Sequence, residues 1–227
     1  MEALSCYMCP KGATSREHAP PKCLFPEQKD ALNSENLRKN LITVPSCEEH
    51  NSERSRDDEY LFMALAGSYT SSEVGLRQFT TKVSRAFERQ RSKAIDFMRQ
   101  SQPVRLKKVE QVEWEDGAQV IVRGDRIDSV LDRCARALYL HQTGKRFFGP
   151  AQVIVDFTLY HDEQLQSQIT QAFAATSRFF DRHPTMGDNP SVFWFKFEES
   201  QATALFLLCF YGQSRAMVRF QKILVAS

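Results

Sequence analysis

The sequence predicts an α+β fold: a small zinc-stapled module at the N-terminus, then an α+β domain with a mainly antiparallel sheet. Three observations predict it. Two ligand pairs with two-residue gaps, Cys6/Cys9 and Cys47/His50, bracket a short early segment. Apolar residues recur at helical spacing from Gly124 to about Gly144, and again from Asp162 to Arg182. Three closely spaced β-rich runs end the chain, at about 192–198, 203–211 and 216–225, with Gly212-Gln213-Ser214 turning the last two into a meander.

Length and composition bound the answer. The chain has 227 residues, of which 42% are hydrophobic, enough for one ordinary core and an appended module. The net charge of +2 excludes a globally basic nucleic-acid binder, so such a surface would be a local patch. The start M-E-A-L-S-C has neither the basic region nor the apolar run of a secretory signal. No stretch is long enough for a membrane span, and the longest apolar run, Ala204 to Tyr211, reads as a buried strand. The expectation is a cytoplasmic protein without a membrane partner. In that reducing setting C-x-x-C favours metal or redox chemistry over structural disulfides.

The first element is the knuckle Cys6-Tyr-Met-Cys9, turned by Pro10, Lys11 and Gly12. With Cys47 and His50 it makes a Cys3His set, a structural zinc combination. About fifty residues have too little core to fold alone, and zinc binding on the order of 10 kcal/mol would stabilise them. Two alternatives stay open here: Cys6/Cys9 as a redox pair, and Cys23 as a fourth ligand in place of His50 rather than a packed thiol. A strand arm ends near Glu17-His18, and Ala19-Pro20-Pro21 enforces an extended exit. Leu41-Ile42-Thr43-Val44 predicts a second strand, ended by Pro45-Ser46. A helix is expected from Cys47 to Ala66, with Ser46 as N-cap and Glu49 completing a capping box.

The series E-H-A-P-P-K, then N-L-I-T-V-P-S-C, then C-E-E-H-N resembles the HNH endonucleases, the ββα-metal nuclease family, over residues 6 to 60. The resemblance implies an N-terminal ββα-metal module of about residues 1–66 in an H-N-N variant. His18, Asn40 and Asn51 stand at the family's motif positions. It implies hydrolysis of nucleic-acid phosphodiester bonds, DNA ahead of RNA, with His18 as the general base. Asn40 would brace the loop that orients it. Glu17 and Asn51 would be oxygen ligands for a catalytic Mg²⁺ or Mn²⁺, separate from the structural zinc. The sequence departs from the family pattern in C-x-x-H for a second C-x-x-C, and in Glu-His for Asp-His. A non-catalytic zinc-knuckle module that binds nucleic acid or a protein is the competing expectation. A second copy or an activating partner stays open.

Gly67 to Ser72 reads as a linker, followed by a basic helix over 73–100. Arg85 and Arg89 lie one turn apart on it. They form either a phosphate-binding strip or a solvated face balanced by Glu73, Glu88 and Asp96. Residues 104–123 alternate as two strands around a turn at Glu115-Asp116-Gly117. The helix from Gly124 carries Arg133 and Arg136, expected at the surface, and His141 near its end. A strand over 153–160 and the helix over 162–182, with Leu165 and Phe179 inward, precede a loop at 186–190. Cys134 and Cys209 read as small hydrophobes. The domain of residues 101–227 has no role legible in the sequence.

Overall fold

The computed structural model describes residues 4–31, 33, 35–51, 55–89, 91, 101–107, 113–160 and 162–222. The expectations for Glu53, for 92–100, for Val109 and Val112, and for 223–225 lie outside these residues. The architecture is α+β, with a mainly antiparallel five-stranded sheet and the Cys3His group near the N-terminus.

β1 (Ser15–His18) pairs antiparallel with β2 (Thr43–Ser46), with His18 opposite Thr43 and Ser15 opposite Ser46. β2 starts two residues later than expected and contains Pro45. A proline is tolerated there because the ribbon has two strands and each has a free edge. The chain before β1 folds back on itself: Cys6 N–H donates to the Lys11 carbonyl at 2.8 Å and Tyr7 N–H to the Pro45 carbonyl at 2.9 Å. Two helical pieces follow, α1 (Glu48–Asn51) and α2 (Ser55–Ala66). Ser46 does not cap them. It is fully buried at the end of β2, and its hydroxyl donates to the Cys47 carbonyl at 3.2 Å, so the capping box does not form.

α3 (Glu73–Gln78), a π-helical turn (Phe79–Val83) and α4 (Ser84–Arg89) form the basic helical run. β3 (Ser101–Leu106) then pairs with β4 (Glu115–Val120). Glu115-Asp116-Gly117 thus lies in a strand rather than a turn. Gly117 sits opposite Val104, and a Cβ there would meet Leu106 Cδ1 at 2.8 Å, so glycine supplies room for the cross-strand neighbour.

α5 (Gly124–Thr143) ends on Gly144 in the left-handed region at φ 70°, as glycine permits. Ile127, Val130, Leu131, Cys134 and Leu138 form its buried stripe. It packs on α2, β2 and β5, and so bridges the N-terminal ribbon to the large sheet. That sheet runs β5 (Ala151–Val155), β9 (Ser214–Gln221), β8 (Thr203–Phe210), β7 (Phe193–Glu199), β6 (Met186–Asn189), all antiparallel. β6 forms where a loop was expected. The last three strands are the expected meander.

α6 (Glu163–Phe179) covers the other face of the sheet. Asp162 caps it, accepting from the N–H groups of Gln164 and Leu165. Its buried side is Ile169 and Phe173, followed by Phe180, against Leu207 and Met217; Leu165 and Phe179, expected inward, are exposed. On the α5 face, Phe193, Phe195, Phe206, Phe210 and Phe220 join one continuous core with Tyr7, Leu24, Val44, Leu61 and Leu65. Each fully buried side chain of this size contributes about 1.5–3 kcal/mol. This core crosses the divisions near residues 66 and 100 that the sequence suggests.

Candidate functional site

The knuckle between Cys6 and Cys9 and the start of α1 place four ligand atoms within 4.8 Å of one another: those of Cys6, Cys9, Cys47 and His50. The chemistry of the set can be tested on its edges. A tetrahedral ion with Zn–S of about 2.3 Å and Zn–N of about 2.05 Å requires edges of roughly 3.8 Å between sulfurs and roughly 3.6 Å from sulfur to nitrogen. The Cys9–Cys47 sulfurs are 3.8 Å apart, and His50 Nδ1 lies 3.6 Å from Cys6, 3.6 Å from Cys9 and 3.1 Å from Cys47. The donors fit zinc. Cys23 stands outside the group: it donates to the Asp58 carbonyl at 3.4 Å, and burial pushes its thiol up to about 12. It is the packed thiol of the two readings.

Three thiolates around Zn²⁺ leave one net negative charge. Arg146, in the loop after α5, donates to the Cys9 carbonyl at 2.9 Å and the Cys6 carbonyl at 3.4 Å. Lys11 pairs with Glu49 across the same loop. The knuckle is therefore clasped by a side chain from the far part of the chain. Nothing in the spacing around Arg146 signals this, because the contact is entirely tertiary.

β1 has two faces, since side chains alternate. Ser15 and Glu17 face the helices. Asn51 on α1 donates to Ser15 Oγ at 2.7 Å, and Glu17 lies near Asp58 of α2 and Arg133 of α5. Burial raises the Glu17 carboxyl to about 7; the Asp58 charge adds to this and Arg133 opposes it. Arg133 is buried, not at the surface as expected, and bonds Asp58 Oδ1 at 3.0 Å. Arg136 is likewise engaged, holding Asp132 and the carbonyls of Phe147 and Gly149. Glu17 thus lies on the same face of β1 as Ser15, to which Asn51 of α1 is bonded. Among the described residues, the zinc set is the one gathering of three or more His, Cys, Asp or Glu ligands.

Arg16 and His18 alternate to the other face. Arg16 bonds Thr43 there, Nε to Oγ1 at 2.8 Å. His18 ends β1, where it also borders a small cavity shared with Glu17, Asp58 and Arg133. Its imidazole is half-buried. Burial, followed by the charges of Lys22, Arg16 and Arg38, lowers its pKa below the usual histidine value. Lys22 and Arg38 were not expected at the site, although the basic flanks of R-E-H-A-P-P-K are a readable signal for Arg16 and Lys22. Asn40 precedes β2 in the left-handed region, φ 53°, which asparagine tolerates better than most residues. It lines a groove of about 460 Å³ with Arg16, Thr43, His141 and Asp188.

Arg85 does not project as a free cation. Its fork grips the buried Asp30 through two bonds of 2.9 and 2.6 Å. Arg89 Nε donates to the Arg85 carbonyl at 3.2 Å, and its side chain is exposed. Of the two readings of this pair, the phosphate strip would rest on Arg89, because Arg85 closes a loop onto the helix. Comparison of the chain with protein-family models, curated proteins and solved structures finds no match.

Proposed function

We propose that the chain is a metal-dependent endonuclease of HNH type that hydrolyses nucleic-acid phosphodiester bonds, DNA ahead of RNA, with His18 as the general base. One observation carries the reading: His18 ends β1 of a ββα unit that holds the Cys3His group, half-buried, with Arg16, Lys22 and Arg38 as its charged neighbours. Three cations around one imidazole form a local patch in a chain that is nearly neutral overall. Such a patch attracts a phosphate diester.

In this reading His18 accepts the proton of the attacking water. A bond forms between water oxygen and phosphorus, the bond from phosphorus to the leaving sugar oxygen breaks, that oxygen takes a proton from solvent water, and Arg16 and Lys22 hold the phosphate. Asn40 shapes the loop that leads into β2 opposite His18. Mg²⁺ or Mn²⁺, when bound, supplies charge neutralisation at the phosphate. Glu17, which faces α2 but borders the small cavity at His18, is its candidate carboxylate, and Asn51 of α1, bonded to Ser15, is its candidate amide ligand. These donors do not form a closed cage. Mg²⁺ rarely needs one, as it takes one or two carboxylates and completes its shell with water and substrate phosphate.

A second reading, a non-catalytic zinc-knuckle module that binds nucleic acid or a protein, is favoured by the cover that Arg133 of α5 places over Glu17. Nicking of supercoiled plasmid with Mg²⁺ or Mn²⁺ separates them, with wild type beside His18→Ala at matched zinc content. Cleavage by wild type and none by the variant supports the nuclease. Silence of both on DNA and RNA substrates, with retained binding, supports the module. Equal cleavage by both removes His18 from the mechanism.

A further inference from the structure

The far side of the large sheet carries a second cavity, of about 590 Å³, between α6 and the strands. Its volume falls in the range of small-molecule sites, roughly 300–1,000 Å³. Its floor comes from alternate positions on three strands, Trp194 and Lys196 on β7, Leu207 and Cys209 on β8, and Arg215 on β9; α6 forms its wall. Phe193 and Phe195, between and beside those β7 positions, point into the opposite core, so the sheet presents one polar-aromatic set here.

We propose that this cavity binds a nucleoside monophosphate, the anion at Lys196 and the base against Trp194. Lys196 Nζ is held by the Phe180 carbonyl at 2.8 Å and pairs with no carboxylate among the described residues, which leaves its charge uncompensated. Arg215 is already positioned: Nε meets Asp156 Oδ2 at 2.6 Å, one Nη meets Ser177 Oγ at 3.0 Å, and the guanidinium lies over the Phe173 ring. Asp156 is thereby paired with Arg215, and Asp181, exposed, also lines the cavity. Lys196, the one lysine among the described lining residues, is the group left to meet an anion. Trp194 packs at the edge of the Ile169, Phe173 and Phe180 cluster, and its partly exposed indole borders the cavity, where a base would stack. Gln166 and Thr170 on α6 line the same cavity and bring an amide and a hydroxyl to it. Tyr69 and Thr70, from the segment that follows α2, close the remaining side, and Thr70 Oγ1 is bonded to Ser214 Oγ at 2.7 Å. Occupancy would therefore be felt next to the helix that carries Asp58. The proposal does not depend on the nuclease reading.

The chain has two tryptophans, and Trp114 is exposed outside the cavity. A Trp114→Phe background makes Trp194 the sole emitter. The four ribonucleoside 5′-monophosphates are titrated against its fluorescence, with adenosine and inorganic phosphate as fragments. The expected result is saturable quenching by at least one monophosphate. Affinity should fall at least tenfold in Lys196→Met and in Thr170→Glu, which places a carboxylate at the mouth, and both fragments should bind at least tenfold more weakly. Melting of each variant is compared with the parent, and if Lys196→Met unfolds, Thr170→Glu decides. The proposal is overturned by no saturable change with any of the four, by undiminished affinity in a folded variant, or by a fragment that binds as tightly as the nucleotide.

Discussion

The ribbon at the N-terminus and the five-stranded sheet are held together by different physics. β1 and β2 have four residues each and few apolar side chains. Their fixed points are the Cys3His group, the Arg146 clasp and side-chain bonds such as Arg16 to Thr43 and Asn51 to Ser15. The sheet has strands of up to eight residues, and Phe195, Phe206, Phe210 and Phe220 are fully buried within it. A core of that kind tolerates solvent change and repels charge. The ribbon instead keeps polar groups half-wet at a defined place, as a reaction needs. The difference teaches that the residues proposed to react sit where specific polar contacts supplement the apolar core.

The largest way to break this comparison is to remove the metal. Chelation, or Cys47→Ser, should cost the ribbon on the order of 10 kcal/mol of metal-coupled stability. Hydrogen exchange should then show amides of 5–51 losing protection while β7–β9 keep theirs. Equal loss in both regions would mean that they do not differ. On the opposite side, Phe206→Ala empties a site ringed by Phe195, Phe197 and Phe220. It should destabilise the chain by about 3–5 kcal/mol in urea unfolding, with zinc content unchanged. Asp58→Ala leaves the buried Arg133 without its partner and should cost about 3 kcal/mol; the double variant Asp58→Ala/Arg133→Met should recover much of that. A cost that persists in the double variant would show that the pair is not what holds α2 to α5.

The ribbon's polar anchors show why part of the chain was illegible. The meander, α5 and α6 follow from apolar periodicity, which is a local signal. The Cys3His group follows from spacing, also local. Arg133 was misplaced because a helix wheel assigns charge to solvent, and only the tertiary approach of Asp58 makes burial favourable. Ser46 was misread because its following Cys-Glu-Glu imitates a capping box, while the strand pairing of Ser46 with Ser15 takes precedence. Glu115-Asp116-Gly117 carries turn chemistry, yet its glycine is used for space beside Leu106. Glu17, His18, Asn40 and Asn51 stand together only as a sequence pattern, and the division of Glu17 and His18 between the two faces of β1 depends on the strand.

A smaller effect sharpens the comparison at the ribbon's loop. The Arg85 guanidinium bonded to Asp30 holds that carboxyl below the usual aspartate range despite its burial. A depressed carboxylate contributes stability above its unfolded pKa, about 3.9, and loses it as pH falls through the folded value. Arg85→Met should therefore cost about 1–3 kcal/mol at neutral pH. It should also shift acid unfolding, followed by circular dichroism, to higher pH. An unchanged acid limb would remove this pair from the loop's stability.

The central claim is that one imidazole, at the end of β1, moves the proton in phosphodiester cleavage. Chemical rescue tests it most directly. His18→Gly, loaded with zinc and folded as wild type, is assayed for plasmid nicking with Mg²⁺ or Mn²⁺ across a series of imidazole concentrations. The account predicts no nicking by the variant alone and a saturable return of nicking as imidazole fills the vacated position. Nicking by the variant without imidazole at the wild-type rate, or a folded variant that no concentration rescues while wild type cuts, would contradict it.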